Sequence, residues 1–285
     1  MKFATIGHLL TKEDINQFSK DWIHENMVIS PEITINTVKG HLTGLLLTAE
    51  EIMSNPIEEI RKHILDAAIK LQNEYNVSFI QLGALTTSVT SGGRWFADQE
   101  KYHGFVTHGD SYTAAVTCQN VRKLVEYKDK NRDKLTLAIV GAYGVIGEAV
   151  SKILVPEFHK SILIGPRVEK LEQLSSNLSG DFITTTKLDT QEADVIVTAT
   201  NHPDALLVSS DVKKDTLIVD VSQPPNVSIE LCKMRPDIVR VDGGYVNYPK
   251  EIHLPVPGVP PGRIFACIAE VIMQTMEDDR TNHVG

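Results

Sequence analysis

Three evenly spaced glycines indicate the chemistry this chain can carry. Gly141-Ala-Tyr143-Gly144-Val145-Ile146-Gly147 follows directly on an apolar run, Leu135–Val140, and leads into a helical pattern with Ala149, Val150, Ile153 and Leu154 on one side. The spacing is G-x-x-G-x-x-G, one residue away from the G-x-G-x-x-G fingerprint of dinucleotide binding, and the physics is the same. One glycine permits the tight turn, one lets backbone approach a pyrophosphate, and one lets the helix pack against the strand. The pyrophosphate then rests on the free N–H groups and positive dipole of the helix start. Gly141, Tyr143, Gly144, Val145, Ile146 and Gly147 are therefore the candidate cofactor loop; the competing reading is a tight turn with no ligand.

The next strand should decide which dinucleotide. An NAD enzyme usually ends that strand in Asp or Glu, which accepts from the ribose 2′-hydroxyl. Here Ser161-Ile-Leu-Ile164 ends in Gly165-Pro-Arg167, with Lys170 a turn later and no carboxylate at the strand end. A guanidinium is suited to a 2′-phosphate, so Arg167 points to NADPH. Two further strands, Asp194–Asn201 and Thr216–Ser222, end in small hydroxyl residues, and their carboxyl ends are expected to line the crevice through Thr198, Ala199, Thr200 and Ser222.

The third candidate is a thiol. Cys267 sits in Pro260-Pro-Gly-Arg263-Ile-Phe-Ala-Cys267-Ile-Ala-Glu-Val-Ile-Met273, which reads as a helix start with the thiol in its second turn. Arg263 would then lie four residues earlier on the same face, and guanidinium and helix end together would favour thiolate. Read from the residues alone, a cysteine among Phe, Ala and Ile is more often a small core residue. Cys118 and Cys232 have no better case. The three cysteines are far apart, with no C-x-x-C pair, which argues against a disulfide framework or a zinc site, and no metal is expected.

The elements that must position these groups fall into two halves. The 285-residue length makes two domains the default. From Leu135 on, short β-branched segments (LTLAIV, SILIG, DFITTT, DVIVTAT, TLIVDV, DIVRVDG) alternate with helices or turns, the mark of a parallel sheet covered on both faces. The first half mixes strands and amphipathic helices: a strand at Phe3–Ile6, a capped helix after Thr11, a hairpin from Glu32–Val38 to His41–Leu47 across Lys39-Gly40, a helix over about 57–75, a strand at Val77–Leu82, and a helix capped by Asp110 or Ser111. Ser88–Tyr102 reads as an active-site or surface loop. The expected fold is α/β: a Rossmann-type doubly wound parallel sheet preceded by a smaller mixed α/β substrate domain. The expected boundaries are 1–130, 131–262, and 263–285 for a C-terminal helix that carries Cys267 back toward the N-terminal domain, with the charged Lys128–Lys134 stretch as the link.

A net charge of −9, from 28 Lys and Arg against 37 Asp and Glu, argues against nucleic-acid binding. No apolar run is long enough for a transmembrane helix and the start turns polar too early for a signal peptide, so a cytoplasmic location is expected.

Six segments in order carry a family resemblance: MKFATIGHL at 1–9, LGALTT at 82–87, GDSYTAAVTC at 109–118, GAYGVIGEAV at 141–150, DGGYV at 242–246 and RIFACIAEVIM at 263–273. Together they resemble the long-chain acyl-(acyl carrier protein) reductases, which make fatty aldehydes with NADPH. The resemblance implies that Cys267 carries the acyl group, that the substrate is an acyl thioester of acyl carrier protein or coenzyme A, and that an oxyanion must be stabilised, with Thr86, Thr87 and Ser111 in suitable loops. An acidic carrier would dock on basic residues, of which Lys123, Lys128, Lys130, Arg132 and Lys134 are the densest group. The chain departs from the family at Tyr143, where threonine is usual, and in the proline-rich approach His253–Pro261. The family also has a further helix after the segment matching Thr281–Gly285. Two other readings stay open: a shikimate-dehydrogenase-like oxidoreductase acting on a small carbonyl or imine without covalent catalysis, and a dinucleotide-binding sensor without turnover. The first would want a lysine–aspartate pair, and Lys39, Lys62 and Lys101 lack a partner motif. Sequence leaves chain length, carrier identity and oligomeric state undetermined.

Overall fold

The computed structural model describes all residues except Leu10, Pro203, Gln223 and 249–258. The proline-rich approach to Cys267 thus lies largely outside the described residues. The chain divides into two compact units, one formed by 1–112 with 246–285 and the other by 113–245.

The first unit begins with β1 (Lys2–Leu9), followed by β2 (Ile23–His24), β3 (Met27–Ile29), β4 (Ile33–Ile35), β5 (Val38–His41) and β6 (Thr43–Thr48). Next come α1 (Ala49–Ser54), α2 (Ile57–Tyr75), β7 (Phe79–Leu82), α3 (Leu85–Val89), α4 (Arg94–Ala97), β8 (Phe105–Thr107) and the start of α5 (Asp110–Tyr127). The long β1 is central. Its first half pairs in parallel with β5 and β7, its second half with β6, and β8 extends the sheet beyond β7. Alternation along β1 and β7 separates two cores, as period-two geometry requires. Ala4, Ile6, Ile80 and Leu82 pack with Ile60, Ile64, Ala68 and Leu71 of α2, whose apolar positions recur at helical spacing.

Two local readings change. The turn of the β4–β5 hairpin is at Asn36, which adopts φ 51°, and Gly40 lies inside β5 instead of at the turn. A side chain there would come within 2.5 Å of the Phe3 carbonyl oxygen, so Gly40 marks a close strand approach. Ser88–Tyr102 is not an open loop. It folds into α3 and α4, buries Thr90, Phe96 and Tyr102, and receives Arg61, which donates to the Val89 carbonyl at 2.8 Å.

The second unit contains most of α5, then β9 (Thr136–Val140), α6 (Val145–Leu154), β10 (Lys160–Ile164), α7 (Val168–Ser175) and β11 (Phe182–Thr185). It ends with β12 (Val195–Thr198), β13 (Leu217–Asp220), α8 (Ile229–Met234) and β14 (Val239–Asp242). All six strands are parallel, in the spatial order β11-β10-β9-β12-β13-β14. Numbered along the sheet this is 3-2-1-4-5-6, the Rossmann order. Leu137 and Ile139 face one core with α5 and α6, while Ala138 and Val140 face the other. The division falls at 112/113 and 245/246, not at 130/131 and 262/263, because Ala114, Cys118, Val121, Leu124 and Val125 of α5 belong to the core of this sheet. Cys118 is thereby a core residue.

The remaining chain forms a two-stranded ribbon, β15 (Tyr245–Asn247) with β16 (Arg263–Phe265), and α9 (Ala266–Met276). Ile264, Val271 and Ile272 pack with Phe3 and Phe79 on the first unit's other sheet face. Among the described residues no helix is long and apolar enough to cross a membrane. Gly40→Ala is expected to cost about 1–3 kcal/mol by overpacking against Phe3, read as a lower denaturant midpoint with the m-value unchanged.

Candidate active site

The glycine loop of the second unit has the geometry its spacing implies. Gly141 adopts φ 86°, and a side chain there would strike the Ala199 carbonyl. Any Cβ at Gly147 would strike the Gly141 carbonyl oxygen, so that glycine allows α6 to pack on the loop. Gly144 is the N-cap of α6, and Glu148 N–H bonds back to its carbonyl at 2.7 Å. The first-turn N–H groups of Val145, Ile146 and Gly147 are those a helix start offers to an anion. Such a cradle, with backbone where any Cβ would intrude, fits a dinucleotide pyrophosphate.

Tyr143 explains its own departure from threonine. Its ring lies against Gly165, where a side chain would collide with it, and the Arg167 guanidinium sits over the ring 5.5 Å from the centroid. Stacking of this kind holds a guanidinium in place without consuming its outward donors. The strand end before Arg167 carries no carboxylate, the arrangement a 2′-phosphate requires.

The opposite wall is organised by a residue the sequence reading passed over. Asp220 is buried, with its carboxylate accepting from the Thr198 hydroxyl (2.7 Å), from the N–H groups of Ser222, Asn226 and Val227, and from Arg240 (3.2 Å). Thr198 therefore spends its hydroxyl on Asp220 and does not face the crevice as expected. Ala199 contributes its carbonyl against Gly141. The Ser222 hydroxyl accepts from Thr200 N–H (3.1 Å) and donates to Asn226 Oδ1 (2.8 Å), which also accepts from the Thr200 hydroxyl (2.5 Å).

Cys267 belongs to the first unit, and its setting differs from the sequence expectation. The helix begins at Ala266 with Phe265 as N-cap, so the thiol is in the first turn, while Arg263 lies in β16, exposed and off the helix. Carboxyl groups replace the expected cation. Burial first, and then the charges of Asp110 and Glu270, push the Cys267 thiol up to about 12, so it is a thiol and not a thiolate at neutral pH. Gly109, at φ 76°, lies so close that a Cβ would meet Cys267 Cα at 2.5 Å, which brings the adjoining Asp110 to the first turn of α9.

Glu270 ties this region together. Its carboxylate accepts from the Thr107 hydroxyl (2.5 Å) and from Tyr112 N–H (2.6 Å), and it pairs with His283 Nδ1 (3.2 Å). Residue 283 also bridges β8 at Thr107. Asp110 is raised to about 7, first by burial and then by the Glu270 charge. Buried His108 is lowered, chiefly by burial; its Nδ1 accepts from Asp110 N–H at 2.9 Å, which leaves the ring proton on Nε2. The signals for this cluster were in plain view. Asp110 follows a glycine in GDSYTAAVTC and reads as a mere cap, and Glu270 stands three residues after Cys267 on the same helix face.

Other expectations resolve differently. The hydroxyls of Thr86 and Thr87 donate to backbone carbonyls of Ile6, Gly83 and Leu82, which leaves neither aimed at a ligand, whereas Ser111 is exposed. The basic stretch is not a uniform cationic surface. Arg122 and Arg132 pair with Glu157, Lys130 donates to the Asp215 carbonyl, and Glu126, Asp129 and Asp133 interleave. Lys39 pairs with exposed Glu32. Among the described residues no group of three or more His, Cys, Asp or Glu is placed to hold a metal ion.

A profile of the shikimate / quinate 5-dehydrogenase family matches residues 123–242, the sheet with the glycine loop. Nearly the whole chain, 98%, aligns at 23% identity with 90% of the long-chain acyl-[acyl-carrier-protein] reductase of Synechococcus elongatus. The aminotransferase PigE of a Serratia strain is 22% identical over 86% of the chain, which spans 29% of that longer protein. Among solved structures, L-tryptophan dehydrogenase from Nostoc punctiforme is similar over 85% of this chain and 70% of its own (TM-score 0.47, 14% identity). The A chain of dipicolinate synthase from Bacillus subtilis is similar over 98% and 96% (TM-score 0.44, 12% identity). The protein is an NADP-binding oxidoreductase.

Asp220→Ala would strip the acceptor from five donors and leave Arg240 with Asp242 alone. A loss toward the lower end of ~3–5 kcal/mol is expected on denaturant unfolding, together with weaker NADPH binding by fluorescence titration.

Proposed function

We propose that this protein reduces an acyl thioester to an aldehyde with NADPH, through an acyl-enzyme on Cys267. The observation that carries the reading is the placement of the thiol: it stands at the start of α9, against Gly109 and within electrostatic reach of Asp110 and Glu270, groups that can take up and return protons. A cysteine kept only for packing would need none of them. The likeness to the acyl-carrier-protein reductase along nearly the full chain supports it as well. In this reading the first unit takes the thioester of acyl carrier protein or coenzyme A and the second binds the dinucleotide.

Gly141, Gly144 and the first-turn N–H groups of Val145, Ile146 and Gly147 hold the pyrophosphate, Ala199, Thr200 and Ser222 form the facing wall, and Arg167, steadied on Tyr143, takes the 2′-phosphate. NADPH supplies the hydride that the acyl carbon needs to reach the aldehyde level. Cys267 Sγ attacks the thioester carbonyl and displaces the carrier thiol, so the acyl group stays attached while the carrier departs. Partial burial of the thiol limits hydrolysis of the acyl-enzyme by water.

A second reading has its own observation. The shikimate / quinate dehydrogenase profile over residues 123–242 fits reduction of a small carbonyl or imine with no covalent step. One experiment separates the two. Incubation with palmitoyl-coenzyme A and no NADPH, read by intact mass, is expected to add one acyl group to the wild type and none to Cys267→Ala; adding NADPH should discharge it as aldehyde. A wild type that takes no acyl group from short or long thioesters, while still binding NADPH, would exclude the acyl-enzyme and favour the noncovalent reading.

Cofactor choice is tested independently. Arg167→Ala is expected to weaken NADPH binding about 10–100-fold, the ~1.5–3 kcal/mol of a charged hydrogen-bonded pair, and to leave NADH binding nearly unchanged. Equal losses for both would remove Arg167 from the 2′-phosphate.

A further inference from the structure

We propose that Asp110 is the proton acceptor for Cys267, taking the thiol proton as Sγ attacks the thioester and returning it to the departing carrier sulfur. The inference rests on the acyl-thioester reading and deepens it.

The thiol is half-buried, and the charges of Asp110 and Glu270 act on it, so it holds its proton well above neutral pH. Among the described residues no cation acts on the thiol to lower it: Arg263, the cation nearest in sequence, is exposed and off the helix. The proton must therefore leave during attack, to a base within the same cluster. His108 cannot readily serve, since its Nδ1 accepts from Asp110 N–H and burial disfavours its charged form. Glu270 is committed to Thr107, Tyr112 and His283.

Asp110 has the opposite character. It directly follows Gly109, whose Cα lies against Cys267, and its carboxyl is mostly enclosed. Among the described residues the cation candidate within ion-pair reach of that carboxyl is His108, at 3.7 Å and lowered by burial, which is a weak partner for its charge. The groups around it are His108 from the end of β8 and Cys267 and Glu270 from α9. His283 from the C-terminal segment and Arg94 from α4 act one step further out, on Glu270 and His108. With a proton affinity raised to about 7, Asp110 exchanges protons near neutral pH, where a general base is most effective.

The step balances without any redox partner. The proton moves from Sγ to Asp110, and the Cys267 Sγ–acyl bond forms. The acyl–sulfur bond to the carrier then breaks, and the proton passes from Asp110 to the leaving thiolate. The products are the acyl-enzyme, a free carrier thiol and the regenerated carboxylate.

The test is the pre-steady-state rate of Cys267 acylation by palmitoyl-coenzyme A without NADPH, by quenched intact mass, between pH 5.5 and 10. In the wild type the rate should rise through a midpoint near 7, as Asp110 loses its proton, and then level off. Asp110→Asn should acylate ~10²–10⁴-fold more slowly and lose that limb, with Asp110→Glu recovering part of both. Alkylation of Cys267 by iodoacetamide, which needs thiolate but no proton return, should instead speed up in Asp110→Asn because a negative charge beside the thiol is gone. A purely structural role would not move the two reactions in opposite directions. Asp110→Asn acylating at the wild-type rate with the limb intact would overturn the proposal. Should the variant fail to fold, the wild-type profile decides: a plateau above pH 7 sustains the role, and a rise continuing to pH 10 overturns it. No adduct on the wild type at any pH would overturn the Cys267 reading itself, whereas an adduct without the limb removes Asp110 alone.

Discussion

The buried carboxylate of Glu270 holds the first unit's site together. It lies one turn after Cys267 on α9, and its bonds reach the end of β8 through Thr107, the start of α5 through Tyr112, and the C-terminal segment through His283. A carboxylate removed from water must find donors or lose its charge, and here each donor comes from a different element. The need to satisfy one group therefore fixes the mutual positions of several segments. It also allows Gly109 to press against the first turn of α9 and keeps acidic groups within electrostatic reach of the thiol. A cysteine in that environment is quiet until something removes its proton, which protects a nucleophile from adventitious oxidation or alkylation.

Asp220 plays the corresponding part in the nucleotide unit. Its carboxylate collects N–H groups from the turn after β13, the Thr198 hydroxyl from β12 and the guanidinium of Arg240 from β14. The effect is to shape the loops at the carboxyl ends of the strands, where a doubly wound sheet binds its ligand. Charge buried for architecture and charge placed for chemistry thus look alike in sequence. Their surroundings separate them. Asp220 is saturated with donors, one of them a permanent cation, whereas Asp110, among the described residues, has the burial-lowered His108 for a cation partner and is itself raised to about 7.

Tyr143 shows how a local substitution can be absorbed by a neighbour. A bulky ring in a phosphate loop would ordinarily crowd the ligand, but Gly165 leaves room for it and Arg167 stacks over it. Loop and strand end are coupled through a ring and a missing side chain.

Much of this was determined by the sequence alone. Short β-branched runs alternating with helices implied a parallel sheet, and three glycines at a fixed spacing between strand and helix implied the phosphate loop, where Gly141 takes a positive φ and Gly147 meets backbone too closely for any side chain. The span of α2 followed from its apolar period. What sequence could not supply were groups joined across long separations. Asp110 read as a helix cap and Thr198 as a crevice hydroxyl, while Glu270 drew no reading at all, since local pattern says nothing about what a side chain meets 163 residues away. The thiol is the sharpest instance. Helix position and Arg263 argued for thiolate, and burial together with the charges of Asp110 and Glu270 reversed the sign. Proton affinity depends on burial and on every nearby charge together, and only the tertiary structure sets those.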